Sequence, residues 1–158
     1  MSGETNRLAE VTLDEASLAP GSANAEQERR IALFDLKESN SFVIVGEERG
    51  PYHLVLSTAE GRLIFDVSTE RGDPVVRHPM SLSSMRKLVK DYGLICETYF
   101  DAIRTAPPSR IEAIDMGRRG LHNEAAEVLM GELEERFVLD LDTARRLFTL
   151  ICALHVRG

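Results

Sequence analysis

Two runs of alternating side chains set the first constraint on this chain. In "YHLVLS" Tyr52, Leu54 and Leu56 alternate with His53, Val55 and Ser57, and in "LIFDVS" Leu63, Phe65 and Val67 alternate with Ile64, Asp66 and Ser68. A period of two places each set on its own face of an extended strand. The short "AEG" between the runs predicts a hairpin, and "ERGDP" leads into a third run, "VVRHPM", so this region reads as an antiparallel meander. A sheet with an apolar face must bury it against something else in the chain.

The downstream sequence supplies the cover. From Ser83 onward Met85, Leu88, Val89, Tyr92, Ile95, Cys96, Tyr99 and Ile103 recur at helical spacing until Pro107 and Pro108 stop the run. Ser109 and Glu112 then predict a capping box at the head of a second helix. Asp140 or Asp142 can cap a third, "TARRLFTLICALHVRG", whose middle is apolar on nearly all sides and so belongs inside a core. Upstream, "RLAEVTLD" predicts a first strand, and "EASLAPGSANAE" a loop. Asn24 with Gln27 caps a helix that carries Ile31 and Phe34 on its apolar face and ends near Asn40, and "SFVIV" predicts a further strand. Strands early and helices late give an α+β fold, a β-meander packed against a C-terminal group of α-helices. The expectation is one domain over residues 1–158, with residues 1–6 and about 16–24 flexible.

Composition narrows the class of partner. With 43% hydrophobic and 28% charged residues the chain reads as globular, and its net charge of -7 repels phosphate backbones and anionic lipid. Nucleic acid and membranes are therefore not expected as partners. The start "MSGETNRLAEVTLDEASLAP" has no secretory pattern, and "LFTLICALHV" falls well short of the ~20 residues that span a bilayer. Cys96 and Cys152, both in apolar helical stretches, suit a reducing compartment, and the expected location is the cytoplasm. No zinc spacing, phosphate-binding loop, dinucleotide fingerprint or nucleophile elbow occurs, so neither metal nor cofactor is expected. His53 and His78 lie on strands of one meander and could face each other, but paired strand histidines are more often half-buried than ligands. His155 shares an apolar helical face with Leu147, Phe148, Ile151 and Leu154, as a satisfied core histidine would.

The segment "DMGRRGLHNE", 115–124, holds the densest chemistry. Run as one helix at ~100° per residue, 109–136 puts Ile111, Ile114, Leu121, Ala125, Val128 and Leu129 on one face, with Arg118 in the middle of it and Asp115 and His122 at its edge. A guanidinium aimed at a core must be paired, or the helix must break between Gly117 and Gly120. A break would present backbone N–H groups beside Arg118, Arg119 and His122, a set suited to an anion. Without one, Asp115 pairs with Arg118 or Arg119, His122 satisfies a carbonyl, and the glycines serve close packing. His122 and Glu124, two apart, cannot form a local acid and base pair. Arg145 and Arg146 make a second twin-arginine step, with Asp142 as the nearby counter-charge; convergence of both pairs would build a strong phosphate or carboxylate pocket.

The words "VKDYGLICETYFDAIR", "IEAIDMGRRGLHNE" and "LDTARRLFTLICALHVRG" closely resemble a bacterial family catalogued as uncharacterised, family two-six-two of the UPF series, from about Arg7 to the C-terminus. The chain departs from the family's pattern near Gly93 and Leu94 and near Ala125 and Ala126, changes of packing more than of chemistry. The resemblance implies no activity and no catalytic residue. The leading expectation is thus a binding or regulatory protein that contacts a protein partner or small anion through 115–124. Arg118, Arg119, His122, Arg145 and Arg146 are its contact candidates, with Asp115, Gly117, Gly120 and Glu124 in support. The alternative is an enzyme for a phosphorylated or carboxylated metabolite, with Arg118 and Arg119 clamping the anion and His122 as general acid or base.

Overall fold

Alternation becomes structure as expected in the centre of the chain. The computed structural model describes residues 2–156. It places strands at Leu8–Leu13 (β1), Phe42–Ile44 (β2), Tyr52–Ala59 (β3), Arg62–Thr69 (β4), Pro74–Ser81 (β5) and Phe137–Leu139 (β6). The helices are Ser2–Thr5 (α1), Ala23–Glu38 (α2), Ser83–Thr105 (α3), Pro108–Leu133 (α4) and Leu141–Ile151 (α5). The fold is α+β. β3, β4 and β5 form the antiparallel meander, with Leu56 opposite Phe65 and Phe65 opposite His78. Between β3 and β4 the chain reverses through Glu60 and Gly61, both at positive φ (51° and 75°), the twist that a two-residue hairpin favours.

β1 corrects the purely antiparallel picture. It lies at the sheet edge, in the order β1-β3-β4-β5, and pairs parallel to β3. Such a pairing needs a crossover, and α2 with β2 provides it. Asn40, just past α2, holds the strand's outer edge: its amide accepts from Leu8 N at 2.7 Å and donates to Leu8 O at 2.8 Å and to Leu36 O at 2.7 Å. Gly50 seats the next strand, because a side chain there would collide with the carbonyl oxygen of Thr5. β2 leaves the meander to pair with β6, a short strand that sequence reasoning missed, in a separate two-stranded ribbon. Phe137 of β6 ties ribbon to sheet, with ring centroids 5.0 Å from Phe42, 5.8 Å from Phe65 and 5.4 Å from His78.

Several boundaries shift for physical reasons. α2 is capped by Ser22, whose hydroxyl accepts from Ala25 N, not by Asn24. Its buried face is Ala32 and Leu36, which leaves the expected core residues Ile31 and Phe34 exposed. α4 opens on Pro107 and Pro108 and not on a Ser109–Glu112 box; proline at the first helical position gives up an N–H that has no helical partner anyway. α5 is capped by Asp140 through Thr143 N and stops at Ile151, so His155 lies beyond it and is exposed, not in the core; residues 157 and 158 lie outside the described residues. The loop before α2 contains a 3-10 turn, Glu15–Ser17, fastened on both sides: Thr58 N donates to Ser17 Oγ, and His155 N donates to Ser17 O.

One contiguous buried cluster runs from the sheet through the ribbon to α5, whose Leu147, Phe148, Leu150 and Ile151 are fully buried. α3 packs on α4, α4 on α5, and α5 on α2. Asn40 joins three of these parts. Replacing it with alanine leaves the Leu8 main-chain groups without their partner, and such a loss costs ~1–3 kcal/mol. Urea denaturation of Asn40→Ala should show that loss, and an unchanged midpoint would mean that solvent replaces the amide freely.

Candidate functional site

The helix through 115–124 does not break. α4 runs uninterrupted past Gly117 and Gly120, so the anion site expected of a helix break is not formed there. The two glycines have different uses. At Gly117 a Cβ would stand 3.2 Å from Ile95 Cδ1, which marks the close crossing of α3 and α4, whereas at Gly120 it would meet open space.

Arg118 does point inward, and the chain gives it partners. Its Nη2 lies 2.7 Å from Asp115 Oδ1, its Nη1 3.8 Å from Glu28 Oε1, and its guanidinium carbon 4.3 Å from the centre of the Tyr99 ring. Asp115 Oδ2 also meets Arg119 Nη2 at 2.8 Å. One carboxylate thus engages both arginines, and hydrogen bonding from Arg118, then the charge of both arginines, holds its pKa below the ordinary aspartate value. His122 packs on Tyr92, centroids 4.9 Å apart. Its Nε2 lies 2.8 Å from Arg145 O and 3.1 Å from Thr149 Oγ1. Burial lowers its pKa, opposed by that carbonyl and reinforced by the charges of Arg145 and Arg118, so the ring is neutral near pH 7.

The other candidates go elsewhere. Arg145 meets Asp142 at 3.6 Å, while Arg146 turns towards α2, 3.9 Å from Asp35 Oδ2 and 3.4 Å from Ser39 O. The side-chain partners of Arg118 and Arg119 (Asp115, Glu28) and of Arg145 and Arg146 (Asp142, Asp35) are different groups, and the two segments meet through His122, which bonds Arg145 O. Glu124 is exposed on α4. His53 and His78 do not face each other: β4 separates their strands, and the register sends them to opposite faces of the sheet. Among the described residues no group of three or more His, Cys, Asp or Glu is placed to hold a metal ion.

What Arg118 and His122 do share is a wall. Glu28, Tyr92, Cys96 and Thr149, the residues that they touch, line a cleft of about 260 Å³ between the start of α2, the middle of α3 and the end of α5. Tyr92, Phe100, Cys96, Cys152 and Leu154 make its lining largely apolar, and Glu26, Glu28, Glu97 and Arg29 add the charge. Burial raises the Cys96 thiol pKa despite hydrogen bonding from Tyr92 and Arg118, and burial raises the Tyr92 phenol too, so both keep their protons at neutral pH. Sequence reasoning missed this cleft because its walls come from three helices far apart in the chain. The apolar Tyr92–Cys96–Tyr99 series was visible, but nothing in it says which member faces a hollow.

Comparison with known proteins agrees with the resemblance. The family model described as "Uncharacterised protein family (UPF0262)" matches residues 5–157. The chain belongs to the UPF0262 family. A UPF0262 protein of Methylobacterium radiotolerans is 60% identical over 153 residues, covering 97% of this chain and 95% of that one. Others from Azorhizobium caulinodans and Ruegeria sp. are 56% and 52% identical, covering 97% of this chain in each case and 96% and 99% of theirs. No solved structure matches significantly. No helix among the described residues is long and apolar enough to cross a membrane.

Two measurements probe this UPF0262 site. Gly120→Ala should stabilise the protein by about 0.5–1 kcal/mol through helix propensity, and Gly117→Ala by less, because Ile95 must give way; equal gains would contradict the close crossing. A histidine whose pKa is lowered by folding contributes stability that is present above its unfolded value of 6.5 and is lost as pH falls towards the lowered folded value. Burial lowers His78 as well, so the wild type should weaken between pH 7 and 5.5 for two reasons. His122→Gln should lose less over that window, and an unchanged slope would show that the ring is not buried neutral.

Proposed function

We propose that this UPF0262 protein is a cytoplasmic binding or regulatory protein without catalysis of its own, and that its ligand occupies the cleft backed by Arg118 and His122. The observation that carries the reading is the cleft itself: about 260 Å³, just below the ~300–1,000 Å³ usual for ligand sites, with an aromatic and thiol lining and a few polar groups. The segment 115–124 then acts from behind. Arg118 steadies Glu28 and Tyr99, and His122 steadies Tyr92 and Thr149.

Charge selects the class of ligand. Three carboxylates and one arginine line the cleft, and Asp115 already engages Arg118 and Arg119. To reach Arg118 or Arg119 a phosphate or carboxylate would have to displace Asp115, and beside Arg29 it would still face Glu26, Glu28 and Glu97. A small apolar molecule with a positively charged group meets the opposite field. The enzymatic alternative gains no support from the same geometry: His122 already spends Nε2 on Arg145 O and Thr149, and burial holds Cys96 in its unreactive thiol form.

Thermal denaturation in the presence of 2-phenylethylamine, of hexylamine and of inorganic phosphate tests the proposal. A ligand that binds only the native state raises apparent stability by mass action, and a chain of this size gains about 2–4 °C per kcal/mol. The amines should raise Tm and phosphate should not. Ala25→Trp, at an exposed position of the cleft rim, should abolish the amine effect while preserving the fold. Stabilisation by phosphate alone, or an amine shift that survives Ala25→Trp, would overturn the reading.

A further inference from the structure

The two edges of the four-stranded sheet are built differently. β5 carries Pro74 and Pro79, which blunt it against strand addition. β1 contains no proline and, among the described residues, its outer main chain is hydrogen-bonded at Leu8, where the Asn40 amide stands in for a neighbouring strand. Farther along, Asp14 N donates to Leu56 O of β3, so by alternation Val11 and Leu13 turn their main-chain N–H and C=O away from the sheet. Beside this edge runs a groove of about 190 Å³, lined by residues 8–11 of β1 and by Leu33, Phe34 and Lys37 of α2. Phe34 is 64% exposed at its wall, and Ile31, one turn earlier, is 46% exposed.

We infer that this edge is where a second copy of the chain docks, β1 against β1 antiparallel across a two-fold axis. The charge on the patch favours a copy over an unrelated strand. Glu10 and Lys37 flank the groove, 4.0 Å apart, with side chains 50% and 68% exposed. An acid and a base on one patch are self-complementary under two-fold rotation, so Glu10 of each copy meets Lys37 of the other. The joined β1 strands give Val11 and Leu13 the main-chain partners that the edge lacks and make one continuous sheet of eight strands from two sheets of four. The rotation also brings both Phe34 side chains to the dyad, where each covers apolar surface of the other.

Sedimentation equilibrium of the full chain at micromolar to 100 µM concentration tests this. The wild type should be a dimer. Glu10→Lys gathers four bases at the axis and Lys37→Glu gathers four acids, so each single variant should weaken dimerisation by tenfold or more. The double variant restores opposite charges and should recover most of it. Val11→Pro offers a second arm: its N–H faces away from β3, so the internal ladder survives while the pairing between copies is lost. A monomeric wild type, or a dimer indifferent to both single charge reversals and to Val11→Pro, would overturn the inference; the monomer would leave the edge to a strand from a different protein.

Discussion

α5 is an eleven-residue helix with one broad buried face. Leu147, Phe148, Leu150 and Ile151 are fully buried, and at ~100° per residue they share one face about 160° wide, so the helix is stable only when that face is covered. α2 and α4 flank it, Tyr92 and His122 meet its Phe148, and Asp140 and Thr143 fix its entry, Thr143 also accepting from Ser41 N at the start of β2. The other helices take their places around this requirement. The cleft is where the enclosure is incomplete: past Phe148, Thr149 and Cys152 look out between α2 and α3.

The charged groups of α4 follow from the same packing. Because α4 lies between α3 and α5, its inward face must carry Arg118 and His122 past two neighbours. Each is neutralised by a different means. Arg118 keeps its charge and gains Asp115, Glu28 and the face of Tyr99, while His122 loses its charge and becomes a hydrogen-bonding member of the wall. Stacked beneath Tyr92, it gives the cleft a rigid back.

Local rules made the meander legible: a period of two, a short turn and a register follow from neighbouring residues. The inward position of Arg118 was legible for the same reason, since helical phase is a local property, and so was its pairing with Asp115. The parallel placement of β1 and the β2–β6 ribbon were not, because three-residue strands carry almost no period and their partners lie far away in the chain. Ile31 and Phe34 misled for a related reason. Their spacing announces an apolar helical stripe, but the contact that α2 makes with α5 is set by small Ala32 and by Leu36, and only the packed neighbours decide which stripe turns inward. The cleft was the least legible feature, being an absence of packing.

The tie between the loop before α2 and the segment after α5 also bears on how the cleft exchanges its contents. Ala19 N donates to Ala153 O, His155 N donates to Ser17 O, and Leu18 bridges Leu154; Ala19, Ala153 and Leu154 belong to the cleft lining. These few bonds lie outside the regular elements, where local opening is easiest. Unzipping them would widen the hollow like a seam while α5 stays enclosed, so an occupant's residence time would be governed by this fastening and not by the stability of the whole molecule.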